Sequence, residues 1–217
     1  SLWFYLYTIM AAKKRGAKVV MFGCGIGPVN YEFDKKITSK IINKYVDIIT
    51  LREDGSVKEL KEMGITEPEI LLAADPALTI QGERTDKIDS VMLSSGLNPN
   101  GRFICFMVRN WNGFEEKIPD IAKSADHAFD KYGLTPVFLL IDFKKDIEPT
   151  KKIISNMKSP NFILNGPFTS GVVIGVMSRM AAVVSMRLHG LIFASGHGVP
   201  MVGIVYEPKV SAFLNYI

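Results

Sequence analysis

The sequence predicts an α/β protein, with two Rossmann-like parallel-sheet halves facing a cleft. Apolar runs of five to seven residues recur along the chain, amphipathic stretches of ten or more separate them, and the alternation breaks once. Continuous apolar strands alternating with helices are what a parallel sheet covered on both faces requires.

The first stretch, SLWFYLYTIMAA (1–12), reads as a buried helix over 2–15 closed by Gly16. It is shorter than the ~20 apolar residues of a membrane-spanning helix. Lys13, Lys14 and Arg15 follow the apolar run, whereas a signal peptide carries its charge in front. Because the chain opens on Ser1 inside that helix, it is expected to be a truncated piece of a longer protein.

Strands are expected at KVVMFG (18–23), DIITL (47–51) and EILLA (69–73), with helices near 33–44 and 54–63. FGCGIGP (22–28) resembles half of a dinucleotide fingerprint, but Pro28 occupies the third glycine position and no helix follows at once. A tight, glycine-lined loop is the better reading. Arg52 and Asp75 follow the second and third strands, and either face the cleft or pair with each other.

Residues 79–101 are polar, glycine-bearing and aperiodic. They suggest a domain boundary, with halves at 1–82 and 100–217 joined by a linker over 83–99. The second half offers strands at RFICFMV (102–108), TPVFLLI (135–141), NFILN (161–165), AAVVSM (181–186) and PMVGIVY (200–206). Its helices are expected near 114–132, 147–158, 169–179, 189–197 and 208–216.

Composition narrows the function. The chain is 47% hydrophobic and 22% charged, without low-complexity tracts, which argues against disorder. A net charge of +4 permits an anionic ligand, yet the basic runs interleaved with aromatics that mark nucleic-acid binding are missing. Cys24 and Cys105 sit in apolar runs and read as buried thiols of a reducing compartment, without metal-ligand spacing.

Ligands of open parallel sheets sit beyond the carboxyl ends of the strands. Reading those ends in the second half gives Arg109-Asn110-Trp111, Asp142, GPFTSG (166–171), Arg187-Leu188-His189 and Glu207-Pro208-Lys209. Three of these five ends carry a cation. Side chains alternate along a strand, so Arg187 and His189 point the same way if the backbone stays extended through Leu188, which then points to the core. A helix starting near His189 or Gly190 would add free backbone N–H groups. Asp142 and Glu207 are the nearby acids that could neutralise the cations internally. The plainer alternative pairs Arg187 with a carboxylate and lets His189 cap the helix. Thr169 or Ser170 either caps a helix or helps to cradle a phosphate. His197 reads as structural and His127 as solvated.

SMRLHGLIFASGHGVPMVGIVYEPKVSAFL (185–214) resembles the segment that typifies the polysaccharide pyruvyltransferase family. FGCGIGPV, DIITLREDGSVKELKEMGI, AADPAL and FMVRNW agree with it, in the family's order, over nearly the whole chain. The resemblance implies transfer of the enolpyruvyl group of phosphoenolpyruvate to a sugar hydroxyl, with closure of a cyclic pyruvate ketal. It implies a fold similar to the B-type glycosyltransferases. Arg187, Leu188 and His189 would contact phosphoenolpyruvate, with Arg109 and Lys209 as further anion ligands. The acceptor would be a glycan or a polyprenyl-linked sugar in cell-wall or exopolysaccharide synthesis, and the enzyme cytoplasmic, near the inner face of the membrane. No cofactor or metal is implied, phosphoenolpyruvate being the donor substrate.

The chemistry suits these residues independently. A carboxylate and a phosphate on a three-carbon frame call for clustered cations, and arginine binds both groups bidentately. A histidine titrating near neutrality can shuttle the protons of ketal formation, a contribution of about 10² to 10⁴-fold. His189 is therefore expected as general acid/base beside Arg187, with Arg109 and Lys209 holding the donor. Two alternatives stand beside this. One is a nucleotide-sugar-dependent glycosyltransferase or epimerase, its diphosphate held by the same cations and the GPFTS loop. The other is a non-catalytic sugar-binding module.

Overall fold

The computed structural model describes residues 2–27 and 29–217. Two compact units emerge, one running to Pro76 and including Asn215–Ile217, the other spanning Ala77–Leu214. Both are parallel α/β layers, the class that the alternating runs predict. Among the described residues, no helix is long and apolar enough to cross a membrane.

The first unit runs α1 (Leu2–Lys14), β1 (Val20–Cys24), α2 (Glu32–Tyr45), β2 (Ile48–Leu51), α3 (Asp54–Glu62) and β3 (Glu69–Leu72). Its sheet has the order β1-β2-β3, all parallel. The central strand β2 carries the wholly buried Ile49 and Leu51, packed against Leu6 of α1, Ile42 of α2 and Leu60 of α3. The buried helix expected at the start is buried on one stripe only. Leu6 and Ile9 face the core, while Trp3, Phe4, Tyr5 and Tyr7 lie open.

The second unit runs α4 (Thr85–Ser94), β4 (Phe103–Met107), α5 (Phe114–Tyr132), β5 (Thr135–Leu139), α6 (Phe143–Ile154), β6 (Phe162–Leu164), α7 (Ser170–Met177), β7 (Ala182–Ser185), α8 (Leu188–Gly196), β8 (Met201–Gly203) and α9 (Pro208–Tyr216). The sheet order is β6-β5-β4-β7-β8, again all parallel. Every residue of the central strand β4 is buried. Phe103, Cys105 and Met107 enter one core cluster and Ile104 and Phe106 the other, which is why the strand reads as an unbroken apolar run.

The stretch expected as a linker over 83–99 instead carries α4. Ile88 and Met92, four residues apart on one face, are buried in the core of the second unit. Gly175 of α7 allows the approach, since a Cβ there would lie 2.6 Å from the Ile88 side chain. An amphipathic stripe this short, set among polar neighbours, gives little periodic signal. The α6 helix also starts at Phe143 rather than near 147, which places Asp146 in its first turn.

Candidate functional site

Strand order reverses once in the second unit, between β4 and β7. β5 and β6 extend to one side of β4, while β7 and β8 extend to the other. Such a switch point is where open parallel sheets bind ligands. Met107 and Ser185 are register partners at the ends of these two strands. Arg109 and Arg187 each lie two residues further on, so the reversal is flanked by an arginine on either side.

The two side chains lean in opposite directions. Arg187 leaves the tip of β7, passes the end of β4 and donates from Nη2 to Asp146 Oδ1 at the start of α6, behind β5. Arg109 leaves the tip of β4, passes β7 and donates from Nη1 to the Tyr206 hydroxyl at 3.0 Å, behind β8. Its guanidinium also lies 5.4 Å from the centre of the Tyr206 ring, which leans on Trp111.

Asp146 is almost wholly buried, and its Oδ2 accepts from the backbone N–H groups of Ile141 (3.2 Å) and Asp142 (2.9 Å). One carboxylate therefore ties the end of β5, the first turn of α6 and the guanidinium of Arg187 together. Nε of Arg187 is buried and has no hydrogen-bond partner among the described residues. On the other side the Tyr206 hydroxyl donates to Glu207 Oε1, which also receives Lys209 Nζ at 2.9 Å. Burial first, then the Glu207 carboxylate, raises the Tyr206 phenol above its ordinary range. For Glu207, burial pushes upward, but hydrogen bonds from Tyr206 and Lys209 and the charges of Lys209 and Arg109 outweigh it and hold the carboxyl low. Asp142 is held low first by its hydrogen bond from Lys145, then against its own burial by the charges of Lys145 and Arg187.

Of the three strand-end cations expected to await an anionic ligand, two are paired internally. Arg187 is paired, but with Asp146, which lay hidden while α6 was expected to begin later. Lys209 pairs with Glu207, as foreseen for that acid, and Asp142 pairs with Lys145 at 3.0 Å. Arg109 has a hydroxyl and an aromatic face, with no carboxylate of its own among the described residues.

The side-by-side projection of Arg187 and His189 is corrected as well. The extended backbone ends at Arg187, which takes the N-cap position of α8, so Leu188 and His189 are already in the first helical turn. Leu188 is buried, as expected, against Leu191 and Phe213. His189 is exposed, with its ring 6.0 Å from Phe193 and no hydrogen-bond partner among the described residues. Among the described residues no side chain caps α8, because the N-cap residue Arg187 carries donors only and has no acceptor to offer the first-turn N–H groups. Ser185 fixes the bend by accepting from Arg187 N (3.0 Å) and donating to Arg187 O (2.8 Å). Gly190 lets α8 settle on the strands, as a Cβ would come within 2.5 Å of Ser185 Oγ and 2.6 Å of Met107 Sδ.

Other expected positions do not join this group. Thr169 caps α7 through Val172 N (3.3 Å), with Ser170 next to it, beyond the edge strand β6. Arg52 and Asp75 pair within the first unit at 2.7 Å. The glycine-lined loop after β1 is held by α3, whose Ser56 and Glu59 accept from Ile26 N (2.7 Å) and Val29 N (3.0 Å). Gly23 has φ +60° and faces Pro76, so the glycines serve close packing there, while Pro28 lies outside the described residues. His197 donates from Nδ1–H to Phe193 O at 3.1 Å, a local contact at the end of α8. Among the described residues, no group of three or more His, Cys, Asp or Glu side chains assembles that could hold a metal ion.

The model of the family described as polysaccharide pyruvyl transferase matches residues 1–208. No curated protein matches the chain in sequence. Among solved structures, UDP-GlcNAc 2-epimerase from Neisseria meningitidis bound to UDP-GlcNAc is similar, with TM-score 0.62, 13% identity, and coverage of 97% of this chain and 59% of that one. A putative UDP-N-acetylglucosamine 2-epimerase from Listeria monocytogenes gives TM-score 0.69 and 11% identity, over 97% of this chain and 56% of that one. A family 9 glycosyl transferase from Veillonella parvula gives 0.52 and 16%, over 94% and 62%. At these identities the likeness is one of fold, the GT-B-like arrangement of parallel sheets that the sequence implies. The chain spans 56 to 62% of the length of these structures.

Proposed function

The chain is a member of the polysaccharide pyruvyl transferase family, a family of transferases, and on that premise we propose that its second unit binds phosphoenolpyruvate at the tips of β4 and β7. There it passes the enolpyruvyl group to a sugar of a glycan or lipid-linked precursor, closing a pyruvate ketal. The observation that carries this reading is the pair of oppositely leaning arginines flanking the switch point, beside an uncapped helix N-terminus.

Each arginine has one nitrogen anchored, Arg187 on Asp146 and Arg109 on Tyr206. A guanidinium held at one corner has lost its rotamer freedom before a ligand arrives, and its other N–H groups keep the planar fork that suits carboxylate and phosphate. The first-turn N–H groups of α8 add a donor set for the same anion. The reaction balances without an outside reagent. One sugar hydroxyl adds to C2 while C3 gains a proton and becomes a methyl group. Phosphate then leaves C2 as the second hydroxyl adds, and the second hydroxyl proton ends on phosphate. His189 is exposed and uncommitted by hydrogen bonds, which suits a group that takes a hydroxyl proton and returns one to C3. The arginines and the α8 N-terminus would stabilise the departing phosphate. Lys209 assists through the Glu207–Tyr206 chain that steadies Arg109.

The nucleotide-sugar alternative draws on the UDP-GlcNAc bound to the Neisseria meningitidis epimerase, a likeness of fold alone. Thermal-shift titrations with phosphoenolpyruvate and with UDP separate the two readings. Stabilisation by phosphoenolpyruvate is expected, and stabilisation by UDP alone would favour the alternative. His189→Ala should abolish release of phosphate from phosphoenolpyruvate with a panel of lipid-linked amino-sugar acceptors while the phosphoenolpyruvate thermal shift survives. Undiminished turnover in that variant refutes the role given to the imidazole.

A further inference from the structure

We propose that Tyr206 is a positioning residue: its hydroxyl keeps Arg109 from pairing with Glu207 and so leaves that guanidinium open to an anionic substrate. That the substrate is phosphoenolpyruvate rests on the function proposed above, while the geometry lies wholly within the second unit.

The chain beyond β8 fixes the acid first. The ladder between β7 and β8 runs on to Ile204 N, which donates to Ser185 O at 2.9 Å. Two residues later Tyr206 is half-buried against the core that Phe106 and Met186 share, its ring centre 6.1 Å from that of Trp111. Pro208 then opens α9. A residue before proline is kept out of the helical region, and the carbonyl of Glu207 accepts from Val210 N at 3.1 Å in the first turn. The backbone that carries this carboxylate is therefore held at a helix N-terminus, where negative charge is favoured.

Arg109 meets the acid across a single oxygen atom. Its Nη1 donates to the Tyr206 hydroxyl at 3.0 Å, and the same hydroxyl donates to Glu207 Oε1. Two groups bonded to one oxygen lie at most about 6 Å apart. From there a small movement would close an arginine and a glutamate into a direct, bidentate pair. That pair is not formed. Glu207 takes Lys209 at 2.9 Å, and Arg109 has no carboxylate partner among the described residues. The groups that act on Glu207 are thus Tyr206 and Lys209 from its own segment and Arg109 from the end of β4.

A phenol suits this gap. The guanidinium lies over its ring, 5.4 Å from the centre, a contact that attracts a cation without cancelling its charge. The hydroxyl gives each neighbour one hydrogen bond. Burial, then Glu207, raises the phenol above its ordinary range, so the oxygen keeps its proton and does not become a counter-charge itself.

Tyr206→Phe keeps the ring and removes the spacer, and Arg109 is then expected to close on Glu207. Carbon-13 NMR reads this without any ligand, through the titration midpoint of the Glu207 carboxyl, identified as the resonance missing from Glu207→Gln. Loss of a hydrogen-bond donor alone raises that midpoint, whereas a direct guanidinium partner lowers it by about one unit or more. A fall is expected. One unit is about a tenfold bias toward the closed pair, so the Kd for phosphoenolpyruvate, by calorimetry, should rise about tenfold in Tyr206→Phe. Tyr206→Phe combined with Glu207→Gln should bind it as tightly as Glu207→Gln alone, because no carboxylate is left for Arg109 to close on. A midpoint that rises or stays in Tyr206→Phe, or a double variant as weak as Tyr206→Phe, would overturn the proposal and make the hydroxyl a simple anchor. Failure of phosphoenolpyruvate to bind the parent overturns the function proposed above instead, and the direction of the midpoint then decides the spacer by itself.

Discussion

Asp146→Asn removes one charge and keeps the shape of the side chain, so its effect isolates what the carboxylate does for Arg187. Asp146 is 1% exposed and accepts three hydrogen bonds, two from backbone N–H groups and one from the guanidinium. Asparagine offers one oxygen. If that oxygen serves Ile141 and Asp142, the amide NH₂ faces Nη2 of Arg187, donor against donor. If it serves Arg187, the two backbone N–H groups lose their acceptor. Either way a cation that is only 19% exposed loses its counter-charge, and its Nε already lacks a partner among the described residues.

Breaking a buried pair from one side costs about 3–5 kcal/mol, and the partial exposure of Arg187 argues for the lower end, ~3 kcal/mol. At about 2–4 °C per kcal/mol for a chain of this size, the midpoint should drop by roughly 6–12 °C. Each unit holds one tryptophan, so in a Trp3→Phe background the emission of Trp111 follows the second unit alone. Urea unfolding monitored this way gives the loss directly. Pairing Asp146→Leu with Arg187→Met should recover part of it, because no buried charge is then left alone. A loss below about 1 kcal/mol for the single substitution, or strictly additive losses in the double, would refute the pairing on which the site's geometry depends.

Gly190→Ala should destabilise by about 1–3 kcal/mol, since its methyl would press on Ser185 and Met107; denaturant unfolding with the parent's midpoint would contradict that packing. Acid should destabilise the fold. Glu207 is held low as described, and in Asp126 burial pushes upward but is outweighed by N–H groups of Ser159 and Lys158 and by the Ser159 hydroxyl. Folded values below the unfolded ones mean fewer bound protons in the native state. Stability is therefore complete above about pH 5 and lost as pH falls through the folded values. Urea midpoints taken down to about pH 3 should show this slope, and Asp126→Asn should flatten it. Burial pushes the Cys105 thiol up to about 12, so Ellman's reagent should titrate it only on unfolding, and its prompt reaction in native protein would contradict the packing of β4.

The strands were legible because a strand buried on both faces must be apolar throughout, a demand that FICFM meets in full and AAVVSM meets up to Ser185, without relying on period. The strand-end cations followed directly, since they sit where those runs stop. Three things were not legible. α4 presents two buried side chains to its core and is otherwise polar, so its stripe is lost among Ser, Asp and Lys. Asp146 was hidden by Pro149, which resembles a first-turn signal yet lies in the interior of α6. The direction in which each arginine leans depends on strand order, and strand ends alone do not supply it.

That last point changes how the charge at the site is understood. Read from sequence, three clustered cations would repel one another and await a ligand to neutralise them. In the fold, Asp146 and Glu207 stand on the far sides of the group, behind β5 and β8, and each draws a cation by its outer edge. The carboxylates cancel part of the field, but a flexible arginine that must be ordered on binding gives back much of its Coulomb gain as lost rotamer freedom. One already anchored gives back less. The residual positive potential comes from Arg109, which has no acid of its own among the described residues, and from the uncapped start of α8, worth roughly half an elementary charge. Under the proposed function, a site built this way would select its anion by the fixed directions of its N–H groups more than by net charge. Removing Asp146 should therefore weaken anion binding even though it makes the site more positive, the opposite of what a purely Coulombic site would do.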